Sequence, residues 1–205
     1  MLHRNDTATR RRAFPTRKLV YTALMTALVT LATAVLGFRT GDFFFNCGDA
    51  VIFVTATLLG PLPAMIAGGL GSFFADLAVY PATMFFTLVI KGLEGLLCGA
   101  LLRLARPFEG HRVLMPLLGT AATAVAGAFM MTGYYVSNTF FYGTPASALA
   151  ALPADAVQAA TSVALASVIL HAFRLAALKP RLFPESSHFP AAAPYLREDK
   201  TPKTD

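Results

Sequence analysis

Tryptophan is absent from this 205-residue chain, charged side chains make up only 14% of it, and cysteine and histidine number two and four. Each scarcity excludes something. An ordinary soluble domain is roughly a quarter charged, so this chain has too few polar side chains to cover a globule. That argues against a soluble enzyme or a nucleic-acid binder. Cys47 and Cys98 stand in separate segments without a CxxC pair, and they say nothing about redox compartment. The four histidines (His3, His111, His171, His188) lack metal-ligand spacing. No phosphate loop is present, since the Gly68-Gly69-Leu70-Gly71-Ser72 run has no following lysine and suits close helix packing instead. Ser72 and His171 fall in opposite halves of their segments, which disfavours a serine–histidine dyad. No enzyme activity, metal or cofactor is expected.

What is abundant is apolar residues, at 56%, with a mean hydropathy of +0.59. One domain is expected at this length, and six crossings of about 20 residues would use about 120 of them. Residues 19–38 contain no charged side chain and are long enough to span. The next apolar region, 50–75, is divided by Pro61 and Pro63. Proline removes an amide donor and restricts its predecessor, so helices are expected near 49–60 and 63–79. The first of these is short for a crossing, hence tilted or partly re-entrant. Further helices are expected at about 82–104, 113–136 and 154–178. The fold class is therefore an all-α membrane protein with six transmembrane helices.

Charge placement supports that count. Arg4, Arg10, Arg11, Arg12, Arg17 and Lys18 precede the first helix. Arg103, Arg106 and Arg112 follow the fourth, and Arg174, Lys179 and Arg181 follow the sixth. Six crossings put all three clusters on one side, as the positive-inside rule requires, with both termini cytoplasmic. The chain then divides into a basic tail (1–18), a six-helix domain (19–178) and a Pro-rich, disordered cytoplasmic tail (179–205). The net charge of +6 reflects this topology rather than a nucleic-acid partner.

The opposite face is rich in rings: Phe38, Phe43, Phe44, Phe45, Tyr80, Tyr134, Tyr135, Phe140, Phe141 and Tyr142. Either they form an interfacial aromatic belt or they line a pocket beneath folded outer loops. Ionisable groups at membrane depth are costly and commonly functional. Four qualify: Asp49, Asp76, Lys91 and Glu94. Lys91 and Glu94 share a helix face three residues apart, as a structural ion pair or as hydrogen-bonding groups for a polar solute. Asp49 stands where a carboxylate caps a helix start, or else faces the same solute. Asn46, Asn138 and Gln158 are further polar groups on that side. Ala23, Ala27, Thr30 and Ala34 make a small-residue stripe on the first helix, for internal packing or for a partner helix.

Several stretches in order then carry a resemblance. Gly48-Asp49-Ala50-Val51-Ile52-Phe53, Leu58-Leu59-Gly60-Pro61, Gly68-Gly69-Leu70-Gly71-Ser72, Ala75-Asp76-Leu77 and Ile90-Lys91-Gly92-Leu93-Glu94-Gly95-Leu96 look like the energy-coupling factor (ECF) transporter substrate-binding S components, of the riboflavin-type branch. The resemblance covers about residues 18–104. It implies a substrate-capture subunit of an ATP-driven uptake system in the bacterial plasma membrane, holding a small vitamin or vitamin precursor near the outer face. It implies as partners a transmembrane coupling protein and two cytoplasmic ATPases, with no nucleic acid. Ala23 and Ala27 match the family's AxxxA docking pattern, and 38–48 corresponds to its lid loop. Toppling of the whole subunit would deliver the substrate inward. The substrate-binding candidates are Phe45, Asn46, Asp49, Asp76, Tyr80, Lys91, Glu94, Tyr134, Asn138 and Gln158, with Lys91 and Glu94 foremost. Riboflavin, hydroxymethylpyrimidine, thiamine and pyridoxine forms all remain open. The competing reading is a structural or regulatory membrane protein that packs against partner helices without a solute.

Overall fold

The computed structural model describes residues 16–40, 43–111 and 113–172. In order these form α1 (Thr16–Ala34), β1 (Phe38–Thr40), β2 (Phe43–Phe45), α2 (Gly48–Leu59), α3 (Pro61–Val79), α4 (Met84–Leu104), α5 (Leu114–Tyr142) and α6 (Pro145–Ala172). Single 3-10 turns at Pro81–Thr83 and Arg106–Phe108 flank α4. The six expected helices are present. The all-α expectation needs one correction, because the segment after α1 pairs with itself as an antiparallel hairpin, with Phe38 opposite Phe45 and Thr40 opposite Phe43. Aromatic and β-branched residues suit an extended, paired backbone. The basic residues up to Arg12, Arg112, the cluster from Arg174 and the Pro-rich tail lie outside the described residues.

Helix ends differ from expectation where local chemistry was misread. α3 starts at Pro61 rather than 63. A proline is harmless in a first turn, where the amide has no intrahelical acceptor. Gly60 makes the one-residue link from α2 at φ 90°, a left-handed backbone that glycine adopts without a Cβ clash. α5 continues to Tyr142, and α6 begins at Pro145, well before 154. The residues 137–142 contain no helix breaker, so α5 stops only at Gly143, whose φ is 73°. Thr144 then caps α6, its Oγ1 accepting the amide of Ser147 at 3.3 Å, with Pro145 at the first helical position. Pro153 lies inside α6 instead of marking its start. The stretch between the expected fifth and sixth helices, 137–153, is therefore almost wholly helical.

Four helices among the described residues (α3, α4, α5 and α6) are long and apolar enough to cross a membrane, while α2 is a shorter apolar helix. Twelve residues rise only about 18 Å, too little for a hydrocarbon core of about 30 Å. α2 instead occupies the middle of the bundle. Around it α1 packs on α3, α3 on α4, α4 on α5 and α5 on α6, and α2 touches α1, α3, α4 and α6. Ten of its twelve residues are buried.

Small residues permit this crowding. At Gly68 a β-carbon would stand 2.6 Å from the Lys91 carbonyl oxygen, so only glycine lets α3 and α4 meet at that point. Gly95 likewise receives the backbone of Ala64, and Gly99 receives Pro61. Thr30 donates to the Gly71 carbonyl at 2.9 Å and ties α1 to α3. Other hydroxyls fold back onto the carbonyl four residues earlier, as in Thr22 to Lys18 and Thr55 to Val51. Such bonds satisfy a polar group where water is scarce.

Polarity is inverted relative to a soluble protein. Leu24, Leu28, Phe85, Val89, Leu117, Val157 and Val168 are exposed, whereas Asp49, Lys91, Glu94, Gln158 and Ser162 are buried. An apolar exterior this extensive suits lipid rather than water.

Candidate functional site

A cavity of about 320 Å³ opens at one end of the bundle. α3, α4, α5 and α6 each contribute a stripe at helical spacing. Thr33 comes from the end of α1 and Asn46 from the entry to α2. Ser72, Asp76 and Tyr80 recur every four residues along α3 and its C-cap, and Thr83, Thr87 and Lys91 do so along the following segment and α4. Tyr134 and Asn138 come from α5, and Ala150, Ala151, Ala154, Asp155 and Gln158 from α6. Residues four apart share a helix face, so each stripe is the inward face of its helix. The long α5 and α6, at 29 and 28 residues, supply the tall walls on their side.

Beneath the cavity lies a buried polar network. The Lys91 ammonium donates to Asp49 Oδ1 across 42 positions of sequence. Its second carboxylate neighbour is Glu94, with Oε2 at 3.4 Å from Nζ. Gln158 Nε2 donates to Asp49 Oδ2 at 2.9 Å. The Oε1 of Gln158 accepts both the amide and the side chain of Asn46, at 3.1 and 3.2 Å. Asn46 Oδ1 in turn accepts the amide of Gly48 at 2.9 Å. One continuous chain of bonds thus joins α4, α2, α6 and the end of the hairpin. All five side chains are buried, Asp49 and Glu94 at 0% exposure and Lys91 at 1%, so they sit beyond easy exchange with solvent. Lys91 also lies over the Tyr134 ring, 5.4 Å from its centroid, a cation–π distance. The Tyr134 hydroxyl reaches Thr87 Oγ1 at 3.4 Å.

Seven of the ten expected binding residues line the cavity: Asn46, Asp76, Tyr80, Lys91, Tyr134, Asn138 and Gln158. Asn138, expected after the fifth helix, stands within α5. Three of the ten lie elsewhere. Asp49 backs the wall behind Lys91 and Gln158. It does not cap α2, whose N-cap residue is Cys47 and makes no side-chain capping bond. Glu94 is one turn deeper than Lys91 and absent from the wall, with neither carboxylate oxygen hydrogen-bonded. The expected Lys91–Glu94 couple is therefore the secondary contact, because Asp49 approaches from a neighbouring helix at the height of the lysine. Phe45 is half-buried at the end of β2 and is not on the wall.

The ring question also resolves in part. Tyr80 and Tyr134 line the cavity, whereas Phe140 is 78% exposed and Phe141 is exposed as well, as belt residues are. The sequence reading missed Thr33, Ser72, Thr83, Thr87 and Asp155. For Ser72, Thr83 and Thr87 the signal was present as steps of four to Asp76 and Lys91. Asp155, three residues before Gln158, was obscured by Pro153, which looked like a boundary.

On α1, packing uses Thr22, Val29, Ala32 and Thr33, which are buried. Ala23 and Ala27 are exposed, so the small-residue pair is not consumed by contacts within the bundle.

Helices that carry an apolar exterior and enclose a polar cavity at one end define a multi-pass membrane protein built to hold a small solute. Comparison with known proteins gives the class its particular form. A model of the family described as ECF-type riboflavin transporter, S component, matches residues 13–175. The thiamine precursor transporter HmpT of Lactococcus lactis subsp. cremoris (strain MG1363) is 31% identical over 151 residues, 73% of this chain and 81% of that one. An uncharacterised protein of Pyrococcus woesei is 37% identical over 120 residues, 58% of this chain and 75% of the relative. The chain belongs to the ECF-type riboflavin transporter S component family. It is a substrate-binding subunit of a transporter, not an enzyme.

Proposed function

We propose that the chain captures a vitamin or vitamin precursor of one or two rings in the cavity between α1, α3, α4, α5 and α6. The observation that carries this reading is the cavity itself, about 320 Å³, with two tyrosines and a set of convergent polar groups on its wall. That volume is at the low end of small-molecule sites, about 300–1,000 Å³. Tyr80 and Tyr134 offer ring faces for stacking. Asn46, Asp76, Asn138 and Gln158 offer the few polar contacts that select among flat heterocycles. Asp49 and Glu94 hold Lys91 in place from behind. The name of the Lactococcus relative, a thiamine precursor transporter, agrees with a small ring compound.

In this reading all six helices belong to the membrane-embedded domain, residues 19–178, with α2 as a central, incompletely crossing helix. Both termini, including the tails 1–18 and 179–205, face the cytoplasm of a prokaryotic cell. Support comes from charge. Lys18 lies close enough to Arg103 and Arg106 to feel their repulsion, and these residues stand at the bundle end remote from the cavity. Basic residues gather on the cytoplasmic side, which turns the cavity outward. The β1–β2 hairpin acts as the lid, Ala23 and Ala27 dock on the transmembrane coupling protein, and two cytoplasmic ATPases drive uptake.

Native mass spectrometry of the purified full chain tests the capture reading. A stoichiometric small molecule, displaced by one member of a vitamin panel, is expected. If no bound mass is found and no panel member raises the melting temperature, the reading is wrong.

A further inference from the structure

The charge around the cavity has a sign, and that sign selects among the heterocycles left open above. Asp76 from α3 and Asp155 from α6 stand on the wall itself. Asp49 and Glu94 stand directly behind it, within reach of Lys91. Among the described side chains that line or back the cavity, four are carboxylates and one, Lys91, is basic. That single ammonium is already engaged by Asp49, by Glu94 and by the Tyr134 ring, so little of its field is left for an anionic solute. On the acidic side the situation is reversed. The Oδ2 of Asp155 is buried and has no hydrogen-bond partner. A buried acceptor without a donor is costly, and one on a cavity wall is satisfied most directly by whatever fills the cavity. Thr33, 3% exposed, also presents an unpartnered Oγ1 on the same wall.

Resting on the capture reading, we infer that the occupant is a cation or a nitrogen heterocycle rich in N–H donors, such as an amino-substituted ring, and that Asp155 accepts from it. A carboxylate-bearing vitamin meets Asp76 and Asp155 with no free cation among the described wall residues to offset the repulsion, so the wall disfavours it. A positive ring gains twice: from the unpartnered carboxylate oxygen, and from the ring of Tyr80 through cation–π attraction. Asp155 is thereby the specificity-determining residue on α6, while the Lys91–Asp49 pair is scaffold.

Calorimetric titration of the purified full chain in detergent tests this with four probes. Thiamine carries a fixed positive charge, 4-amino-5-hydroxymethyl-2-methylpyrimidine is an amino-substituted ring, riboflavin is neutral and nicotinate is an anion. Thiamine or the aminopyrimidine is expected to bind at least about tenfold more tightly than riboflavin or nicotinate. Asp155→Asn is expected to weaken that binding by about tenfold or more, as loss of one charge-assisted bond requires. Asp155→Glu is expected to retain part of it. Tighter binding of riboflavin or nicotinate overturns the inference and leaves capture standing, as does an Asp155→Asn variant with unchanged affinity. If none of the four binds and no co-purified ligand is found, both readings fall.

Discussion

Removing the Lys91 ammonium should damage the bundle far more than removing the carboxylate it directly contacts. Lys91 serves two acids, Asp49 by a direct bond and Glu94 at 3.4 Å. In Lys91→Met both carboxylates remain buried without a cation. Breaking a buried pair by deleting one partner costs about 3–5 kcal/mol. In Asp49→Asn the ammonium keeps Glu94, and two charges 3.4 Å apart attract by about 5 kcal/mol at an effective dielectric near 20. The expected cost is then the disturbed hydrogen bonds to Lys91 and Gln158, about 1–2 kcal/mol. A chain of this size shifts by about 2–4 °C per kcal/mol, so Lys91→Met should lower the unfolding midpoint by about 10 °C and Asp49→Asn by about 4 °C. The combined variant Lys91→Met, Asp49→Asn, Glu94→Gln carries no buried charge in this cluster and should recover at least half of the loss. Cys98, at 0% exposure on α4, supplies the readout. A thiol-reactive dye labels it only on unfolding, once the half-buried Cys47 is replaced by serine in every variant. Equal midpoints for Lys91→Met and Asp49→Asn, or a triple variant as unstable as Lys91→Met, would refute the assignment of Lys91 as the shared cation.

Gln158→Leu removes the partner of three hydrogen bonds and should destabilise by about 2–4 kcal/mol, measured by the same dye, with solute affinity falling alongside. Gly68→Val places a branched side chain where even a β-carbon stands 2.6 Å from the Lys91 carbonyl. Overpacking of that kind costs about 1–3 kcal/mol, and because α3 and α4 both line the cavity, titration should also show weaker solute binding. Ala23→Trp and Ala27→Trp change exposed positions, so solute affinity and melting temperature should hold while co-purification with the coupling protein is lost. Retained co-purification and uptake would remove these alanines from the docking surface.

Much of this molecule was legible along the chain. Apolar runs of sufficient length and the breaks between them were enough to count the helices. The cost of polar groups in lipid singled out Asp49, Asp76, Lys91 and Glu94 as groups requiring partners. Local signals erred at three places: Pro61, where a proline opens a helix, Pro153, where a helix runs through one, and the phenylalanine-rich segment that pairs as a hairpin. In each, the residue types allowed two outcomes, and packing chose between them.

By itself, then, the sequence determined which residues are hydrophobic enough to face lipid, which are too polar to do so, and in what order they follow. Only the tertiary structure decided who meets whom. Lys91 finds Asp49 and Gln158 rather than Glu94 alone because α2 is held at the centre of the bundle by glycines on α3 and α4. Asp155 reaches the cavity because α6, continuing through Pro153, packs with that face turned inward. A helix's rotation about its own axis is set by the surfaces of its neighbours and not by its own spacing, which is why the partners of a buried charge appear only once the bundle has closed.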